Sequence, residues 1–249
     1  MNASKFFLKA ANSLVTAIVA LFLILAAAYS GYALWDNAQV YGAVDDIQSQ
    51  LLKLKPDPEQ KDGGTSFEEL RKINPDVCGW ITLDHTKIDY PILQGEDNLT
   101  YINTDVYGDF ALSGSIFLDS GCDRNFRGKY SLLYGHHMAE HKMFGDLDLY
   151  RKKKFFNKST TGTLILPDRS YKLEIFACMQ VSASEESIFA TGKWQADTSG
   201  LVDFCQKKTR NMSISRQWIT LESPKIFPRY WQCQPALRNL QMQEQFFWR

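Results

Sequence analysis

The sequence has no excess of either charge. Its 249 residues include 28 lysines and arginines and 28 aspartates and glutamates, so the formal net charge at neutral pH is zero. A protein that binds nucleic acid normally carries a basic surplus that attracts phosphates. The equal numbers of acidic and basic residues therefore give no reason to expect nucleic acid as a partner. The length suits one domain of ordinary size with an appendage.

Cysteines are few, and their spacing is not that of a metal site. The five are odd in number, and no pair has the Cys-x-x-Cys spacing of a zinc knuckle. They are Cys78, Cys122, Cys178, Cys205 and Cys233. Cys178 lies in an apolar strand and Cys205 on an amphipathic helix, so both are expected to be small buried hydrophobic residues. The sequence predicts no metal and no cofactor.

The chain does contain one long apolar run. Leu14 to Leu34 carries no charge over roughly 21 residues, enough to cross a hydrocarbon core of about 30 Å. Lys5 and Lys9 precede it and the first charge after it is acidic, so the positive-inside rule places the N-terminus in the cytoplasm. A cleaved signal peptide is the alternative, but its apolar region would be shorter. We predict a single-pass cell-membrane anchor within residues 1–35 and an extracellular remainder.

Residues 36–65 are predicted to form a juxtamembrane helix and a linker. Apolar residues recur at helical spacing from Val40 to Leu54. Pro56, Pro58 and the Asp62-Gly63-Gly64 turn signal then break the pattern. The remaining residues, 66–249, are predicted to be a separate domain.

This second domain is predicted to be mainly β. Its β-branched and aromatic runs alternate with Gly and Asp punctuation, as strands and turns do. The predicted strands are 79–83, 88–93, 115–118, 130–134, 163–166, 171–181 and 218–221, and the predicted helices are 144–156 and 199–210. A closed β-barrel with a few connecting helices fits this order.

One histidine is predicted to lie where a strand ends. His136 follows the apolar run Ser131-Leu132-Leu133 and a Tyr-Gly pair. A histidine there can take up and release a proton near neutral pH, which acyl-transfer chemistry requires. The alternative is a pair of surface histidines, His136 and His137, in a turn.

A different chemistry is suggested by the next five residues. His137-Met138-Ala139-Glu140-His141 matches H-x-x-E-H, the inverted motif of a class of zinc metalloproteases. Two imidazoles four residues apart share a metal only when both lie on one helix face. Gly135 and the strand before it favour a loop instead. Zinc analysis of the purified protein would separate the two interpretations.

Several short motifs taken together resemble the class B sortases, over roughly residues 67–227. They are Asn74-Pro75-Asp76-Val77-Cys78-Gly79-Trp80-Ile81, Ile88-Asp89-Tyr90-Pro91-Ile92-Leu93-Gln94, Asp97-Asn98-Leu99-Thr100-Tyr101, Gly114-Ser115-Ile116-Phe117-Leu118-Asp119, and Tyr134-Gly135-His136-His137-Met138 followed by Met143-Phe144. The resemblance implies an eight-stranded β-barrel with extra helices. It also implies that His136 is the catalytic histidine.

The resemblance further implies a membrane-anchored cysteine transpeptidase. Such an enzyme cuts a sorting signal near the C-terminus of a secreted protein and holds the acyl group as a thioester on cysteine. It then passes that group to an amine of the cell wall or of a pilin lysine. The expected partners are therefore secreted substrates, an amine acceptor and the membrane. A surface binding module without activity is a third interpretation.

The C-terminus departs from the family. From Pro228 the chain reads PRYWQCQPALRNLQMQEQFFWR, without the alternation of a strand. Neither the Thr-Leu-Ser-Thr-Cys motif nor the arginine that follows it is present. Cys233 is the only cysteine near the expected place and Arg238 the only basic residue shortly after it. These two are the candidates for nucleophile and arginine.

A shifted reading frame permits counterparts of both missing motifs. Read one base out of register, the codons of Trp231 to Ala236 permit Ala-Met-Ser-Thr-Cys, and those of Gln241 to Gln245 permit Asn-Ala-Arg-Thr. The cysteine codon would span Pro235 and Ala236. We therefore predict that residues 228–249 are out of frame and that this chain is catalytically impaired. Chance and a genuine variant site are the alternatives, and resequencing between the codons of Glu222 and Arg249 decides among them.

Overall fold

The computed structural model describes residues 3–59, 64–181, 186–201 and 203–205, together with the backbone of 230–235 and 243–248. The chain divides into two compact units, the first ending at Ala43 and the second beginning at Val44. Each unit is described by itself below.

The first unit belongs to a single helix, α1 (Ala3–Leu52). No proline occurs before Pro56, so nothing removes a backbone donor from the helix interior. The helix is long enough and apolar enough to cross a membrane by length and composition, and its most apolar stretch has no buried residue. The predicted anchor and juxtamembrane segments are thus parts of one continuous helix.

The second unit is built on ten strands within the described residues. Their bounds are β1 (Val77–Leu83), β2 (Asp89–Leu93), β3 (Phe117–Leu118), β4 (Tyr130–Gly135), β5 (His137–Met138), β6 (Lys142–Met143), β7 (Thr161–Ile165), β8 (Ser170–Val181), β9 (Tyr230–Pro235) and β10 (Gln243–Trp248). Eight of them close into a barrel in the order β1-β2-β3-β4-β9-β10-β8-β7, while β5 and β6 form a separate hairpin. The eight-stranded barrel is therefore confirmed.

Side-chain alternation explains why these segments are strands. In β8, Leu173, Ile175 and Ala177 are buried, whereas Lys172 and Glu174, which alternate with them, are exposed. Successive residues of a strand point to opposite faces, so one face of β8 fills the barrel and the other meets solvent. Burying the odd-numbered set is what drives closure of the sheet.

Two apolar clusters hold the second unit together. The larger fills the barrel and includes Tyr130, Leu132 and Phe144. The smaller includes Leu51 from the end of α1 and Trp80 from β1. The last two turns of α1 are therefore part of the folded domain, although the sequence boundary was predicted at residue 66.

Short helices connect the strands, and one prediction about them was wrong. They are α2 (Gly64–Ile73), a 3₁₀ helix (Gly145–Arg151), α3 (Lys153–Lys158), α4 (Glu186–Phe189) and α5 (Thr191–Ala196). The single helix predicted for 144–156 is divided, because Lys152 has an extended backbone with ψ of 112°. Of the helix predicted for 199–210, residues 199–201 and 203–205 are helical and the rest lie outside the described residues. The strand predicted for 218–221 also lies outside them.

Candidate active site

His136 stands at the end of β4, where the sequence placed it. It is the first residue after Gly135 and is half-buried. Leu132 and Leu133 are fully buried and fix the strand in the barrel. The carbonyl of His136 accepts a hydrogen bond from the backbone N–H of Phe144 at 2.9 Å, so the chain folds back immediately after it. His136 is thereby placed where the chain leaves β4 and turns back.

Glycine is required immediately before His136. A Cβ added to Gly135 would lie 2.3 Å from Ile116 Cδ1 and 2.7 Å from Phe144 Cδ2. These atoms belong to fully buried side chains that cannot move aside without disturbing the core. The close packing at Gly135 therefore sets how far β4 extends and where His136 emerges.

Gly135→Ala is expected to destabilise the protein by about 1–3 kcal/mol, because overpacking forces neighbouring side chains and backbone to shift. For a domain of this size, each kcal/mol lowers Tm by about 2–4 °C. Thermal unfolding followed by circular dichroism measures the change. Gly192→Ala is the matched control, since a Cβ at Gly192 in α5 meets nothing within 4 Å. Equal melting of the two variants would contradict this account of Gly135.

A polar network holds the neighbouring Tyr134 in place. The Tyr134 hydroxyl donates to Asp119 Oδ2 at 2.8 Å, and Asn98 Nδ2 donates to the same oxygen at 2.8 Å. The Tyr134 ring stacks on Phe117 with centroids 5.1 Å apart. Burial, reinforced by the Asp119 carboxylate, raises the pKa of Tyr134 far above its usual range, so the phenol stays neutral. Asp119 ends the motif Gly114–Asp119, and an acidic residue directly after a buried strand is the signal in the sequence for such a network.

The residues after His136 form a hairpin and not a helix. His137 and Met138 pair with Met143 and Lys142 across β5 and β6. His137 Nε2 lies 2.8 Å from Asp148 Oδ2, and the ring of His141 bonds to Asp146. The two imidazoles therefore have different carboxylate partners and do not share a helix face. The zinc metalloprotease alternative requires both histidines on one face of a helix, and the hairpin does not provide it. Among the described residues there is also no group of three side chains that could hold a metal ion.

The hairpin is strained and depends on its contacts. Glu140, His141 and Met143 have φ values of 58°, 66° and 50°, in the left-handed region that favours glycine. Each such residue costs on the order of 1 kcal/mol and persists only when its surroundings hold it. The backbone N–H of Met143 donates to the Tyr90 hydroxyl at 3.0 Å, which is one of these supports. The conformation of the hairpin after His136 thus depends on contacts with residues elsewhere in the domain, such as Tyr90.

Cys233 lies on the strand next to that of His136. The parallel pairing of β9 with β4 sets Cys233 level with Leu133 and Pro235 level with Gly135. Cys233 is therefore three positions short of the level of His136, or about 10 Å along an extended strand. An odd offset also puts the two positions on opposite faces by alternation. Arg238 lies outside the described residues.

The ends of β9 and β10 meet at the rim where His136 emerges. The two strands are antiparallel, with Cys233 level with Phe246, so the end of β9 at Pro235 adjoins the start of β10 at Gln243. In the shifted frame the cysteine codon spans Pro235 and Ala236, and the arginine codon spans Gln243 and Glu244. A cysteine and an arginine encoded there would lie at the adjoining ends of β9 and β10, whereas Cys233 lies further back along β9.

Known structures share this architecture. A crystal structure of a Streptococcus pyogenes class B sortase involved in pilus biogenesis is 34% identical to this chain, with a TM-score of 0.60, and the match covers 75% of this chain and 99% of that one. This chain belongs to the class B sortases. A Staphylococcus aureus sortase B–substrate complex aligns with a TM-score of 0.69 over 85% of this chain and 95% of that one, at 23% identity, which supports the fold.

Curated sortases match over a shorter stretch. Sortase B of Listeria monocytogenes is 33% identical over 156 residues, 61% of this chain and 62% of that protein. Sortase B of Staphylococcus aureus is 29% identical over 160 residues, 64% of this chain and 66% of that protein. The chain thus matches slightly less than two thirds of the length of these relatives. No protein-family profile matches it.

The four other cysteines of this class B sortase are poor candidates for the nucleophile. Cys78, Cys122, Cys178 and Cys205 are all buried. Burial raises the pKa of Cys78 and of Cys122 to about 12, so both stay protonated at neutral pH. A protonated thiol is not the attacking species. Within the described side chains, no cysteine is prepared for catalysis.

Proposed function

We propose that this protein is a membrane-anchored transpeptidase that cleaves the C-terminal sorting signal of secreted proteins. The acyl group is held as a thioester on cysteine and transferred to an amine of the cell wall or of a pilin. The observation that carries the proposal is His136 at the exit of β4, next to the strand that bears Cys233, in a barrel of the class B sortase type. A substrate complex and a triglycine complex of sortase B support a peptide substrate and an amine acceptor.

The chemistry assigns one task to each side chain. A thiolate attacks the scissile carbonyl, and a neighbouring imidazolium favours ionisation of a thiol whose free pKa is about 8.5. An arginine stabilises the oxyanion with a permanent charge. His136 then donates its proton to the leaving amine, and on return takes a proton from the incoming amine. Each step needs the imidazole within hydrogen-bonding reach of the reacting atoms.

The helix α1 serves as the membrane anchor in this proposal. Its apolar stretch follows Lys5 and Lys9, so the positive-inside rule directs the second unit outward. An outward-facing enzyme meets secreted proteins as they leave the membrane, which suits a transpeptidase that processes their C-termini.

The chain as given is catalytically impaired, and its reading frame slipped before the catalytic strand. Cys233 is level with Leu133, but the nucleophile has to reach His136. The shifted frame puts cysteine at the end of β9 and arginine at the start of β10, where the two strands adjoin beside β4. Two motifs recovered in the right order, at strand ends that meet, support a frameshift over chance.

A thiol-directed analogue of a sorting-signal peptide tests the impairment. We expect no labelling of Cys233 above that given by a scrambled peptide, because its level on β9 keeps it from His136. Intact-mass spectrometry of the full chain in detergent measures the adduct. Stoichiometric labelling of Cys233 that is lost in His136→Ala would overturn the frameshift, and would make this C-terminus a working variant site.

A further inference from the structure

The end of α1, from Val44 onward, belongs to the second unit and makes polar as well as apolar contacts within it. Val44 and Leu51 are buried against the domain. Gln48 Nε2 donates to the carbonyl of Lys87 at 3.0 Å, and Lys55 Nζ pairs with Asp89 Oδ2 at 2.7 Å. Gln48 thus joins the helix to the connection between β1 and β2, and Lys55, just after the helix, joins the start of β2.

One contact of α1 goes to the hairpin that follows His136. The ammonium of Lys142 on β6 pairs with the carboxylate of Asp45. The Lys142 side chain is only 6% exposed, whereas that of Asp45 is 64% exposed. Lysine is almost never buried without a partner. Loss of the Asp45 charge would therefore weaken the electrostatic stabilisation of a buried ammonium, a larger penalty than loss of a surface ion pair.

Lys142 is close to His136 through the backbone. It pairs with Met138 across the hairpin, and two residues later Phe144 donates its N–H to the carbonyl of His136. The left-handed residues on both sides of Lys142 make this turn dependent on external support. Loss of the ion pair at Lys142 should therefore weaken the hydrogen bond between the Phe144 N–H and the His136 carbonyl.

We infer that Asp45, near the C-terminal end of α1, is a positioning residue for His136, acting through Lys142 and the β5–β6 hairpin. The inference rests on the proposed catalytic role of His136. It adds a residue from the anchor helix to the structure of the site, outside the domain that the sequence delimited at residue 66.

Hydrogen–deuterium exchange of the full chain in lipid nanodiscs tests this contact. Asp45→Asn should speed exchange in peptides that cover 136–144 by about tenfold or more, because local opening becomes easier. Asp46→Asn is the matched control, since Asp46 is exposed and makes no ion pair among the described residues. In a Lys142→Met background, Asp45→Asn should add nothing, as expected for two residues that act through one contact.

The ring of His136 supplies a second measurement that a merely structural role would not change. The chain has only four histidines, so ¹³C-labelled imidazoles give a simple spectrum. Asp45→Asn should shift or broaden the His136 signal. Asp45→Glu, which keeps the carboxylate, should leave the signal as it is in the unsubstituted protein. An unchanged His136 signal, or an exchange rate equal to that of Asp46→Asn, would overturn the inference. Neither measurement uses a substrate, so failure here is separate from failure of the proposed transpeptidase activity.

Discussion

A chain whose reading frame is restored after Phe227 is expected to form a thioester with a sorting-signal peptide, whereas the chain as given forms none. The codons of the shifted frame permit a cysteine at the end of β9, beside the residue that precedes His136, and an arginine at the start of β10. A thiol there can ionise beside the imidazole. Intact-mass spectrometry after acid quenching detects the thioester, and transfer to triglycine detects turnover.

His136→Ala in the restored chain is expected to lower turnover by about 10²- to 10⁴-fold, the usual cost of losing a general acid–base group. His137→Ala is the matched control, because His137 is exposed on β5 and its ring contacts Asp148 of the 3₁₀ helix. Loss of turnover in His137→Ala with activity kept in His136→Ala would show that the other histidine is catalytic. Equal thioester yields from the restored and unrestored chains would refute the frameshift.

The chain as given is also expected to melt well below the restored chain. Glutamines occupy positions of β9 and β10 that neighbouring strands fill with apolar residues. Gln232 is level with Leu132 on β4, and Gln245 is level with Met179 on β8. Residues directly opposite each other share a face of the sheet. Gln234 and Gln243 follow the same pattern, level with Tyr134 and Val181.

The expected loss is large compared with the stability of a domain. An amide buried without a partner costs about 1–3 kcal/mol, and total stability is only about 5–15 kcal/mol. Two or three such positions would remove most of that margin. Pro235 adds to the loss, because proline cannot donate to the hydrogen-bond ladder of an interior strand.

Single substitutions in the chain as given separate this cause from others. Gln245→Val should raise Tm by about 2–4 °C for each kcal/mol recovered. Glu244→Val, at the adjacent position level with half-buried Gln180, is the control and should raise it less. Equal Tm values for the unrestored and the restored chain would contradict the explanation. So would an increase in Tm from Glu244→Val as large as that from Gln245→Val.

Most of the barrel could be read from the sequence because its strands carry their own signals. Runs such as Tyr171 to Val181 alternate buried and exposed residues, and alternation is a local property. The position of His136 followed from an apolar run ending in glycine. By contrast, Pro228 onward showed no alternation, yet β9 and β10 form there, because β4 and β8 supply unpaired edges that only these strands close.

A long apolar N-terminal helix, a mainly β domain and a histidine at a strand exit were all predictable without tertiary information, since each depends on residues adjacent in the chain. Tertiary structure decided which strands are neighbours, that Cys233 is level with Leu133, and that Asp45 reaches Lys142. These contacts join segments about 100 residues apart. The pairing of such distant segments depends on how the whole core packs, which no local pattern specifies.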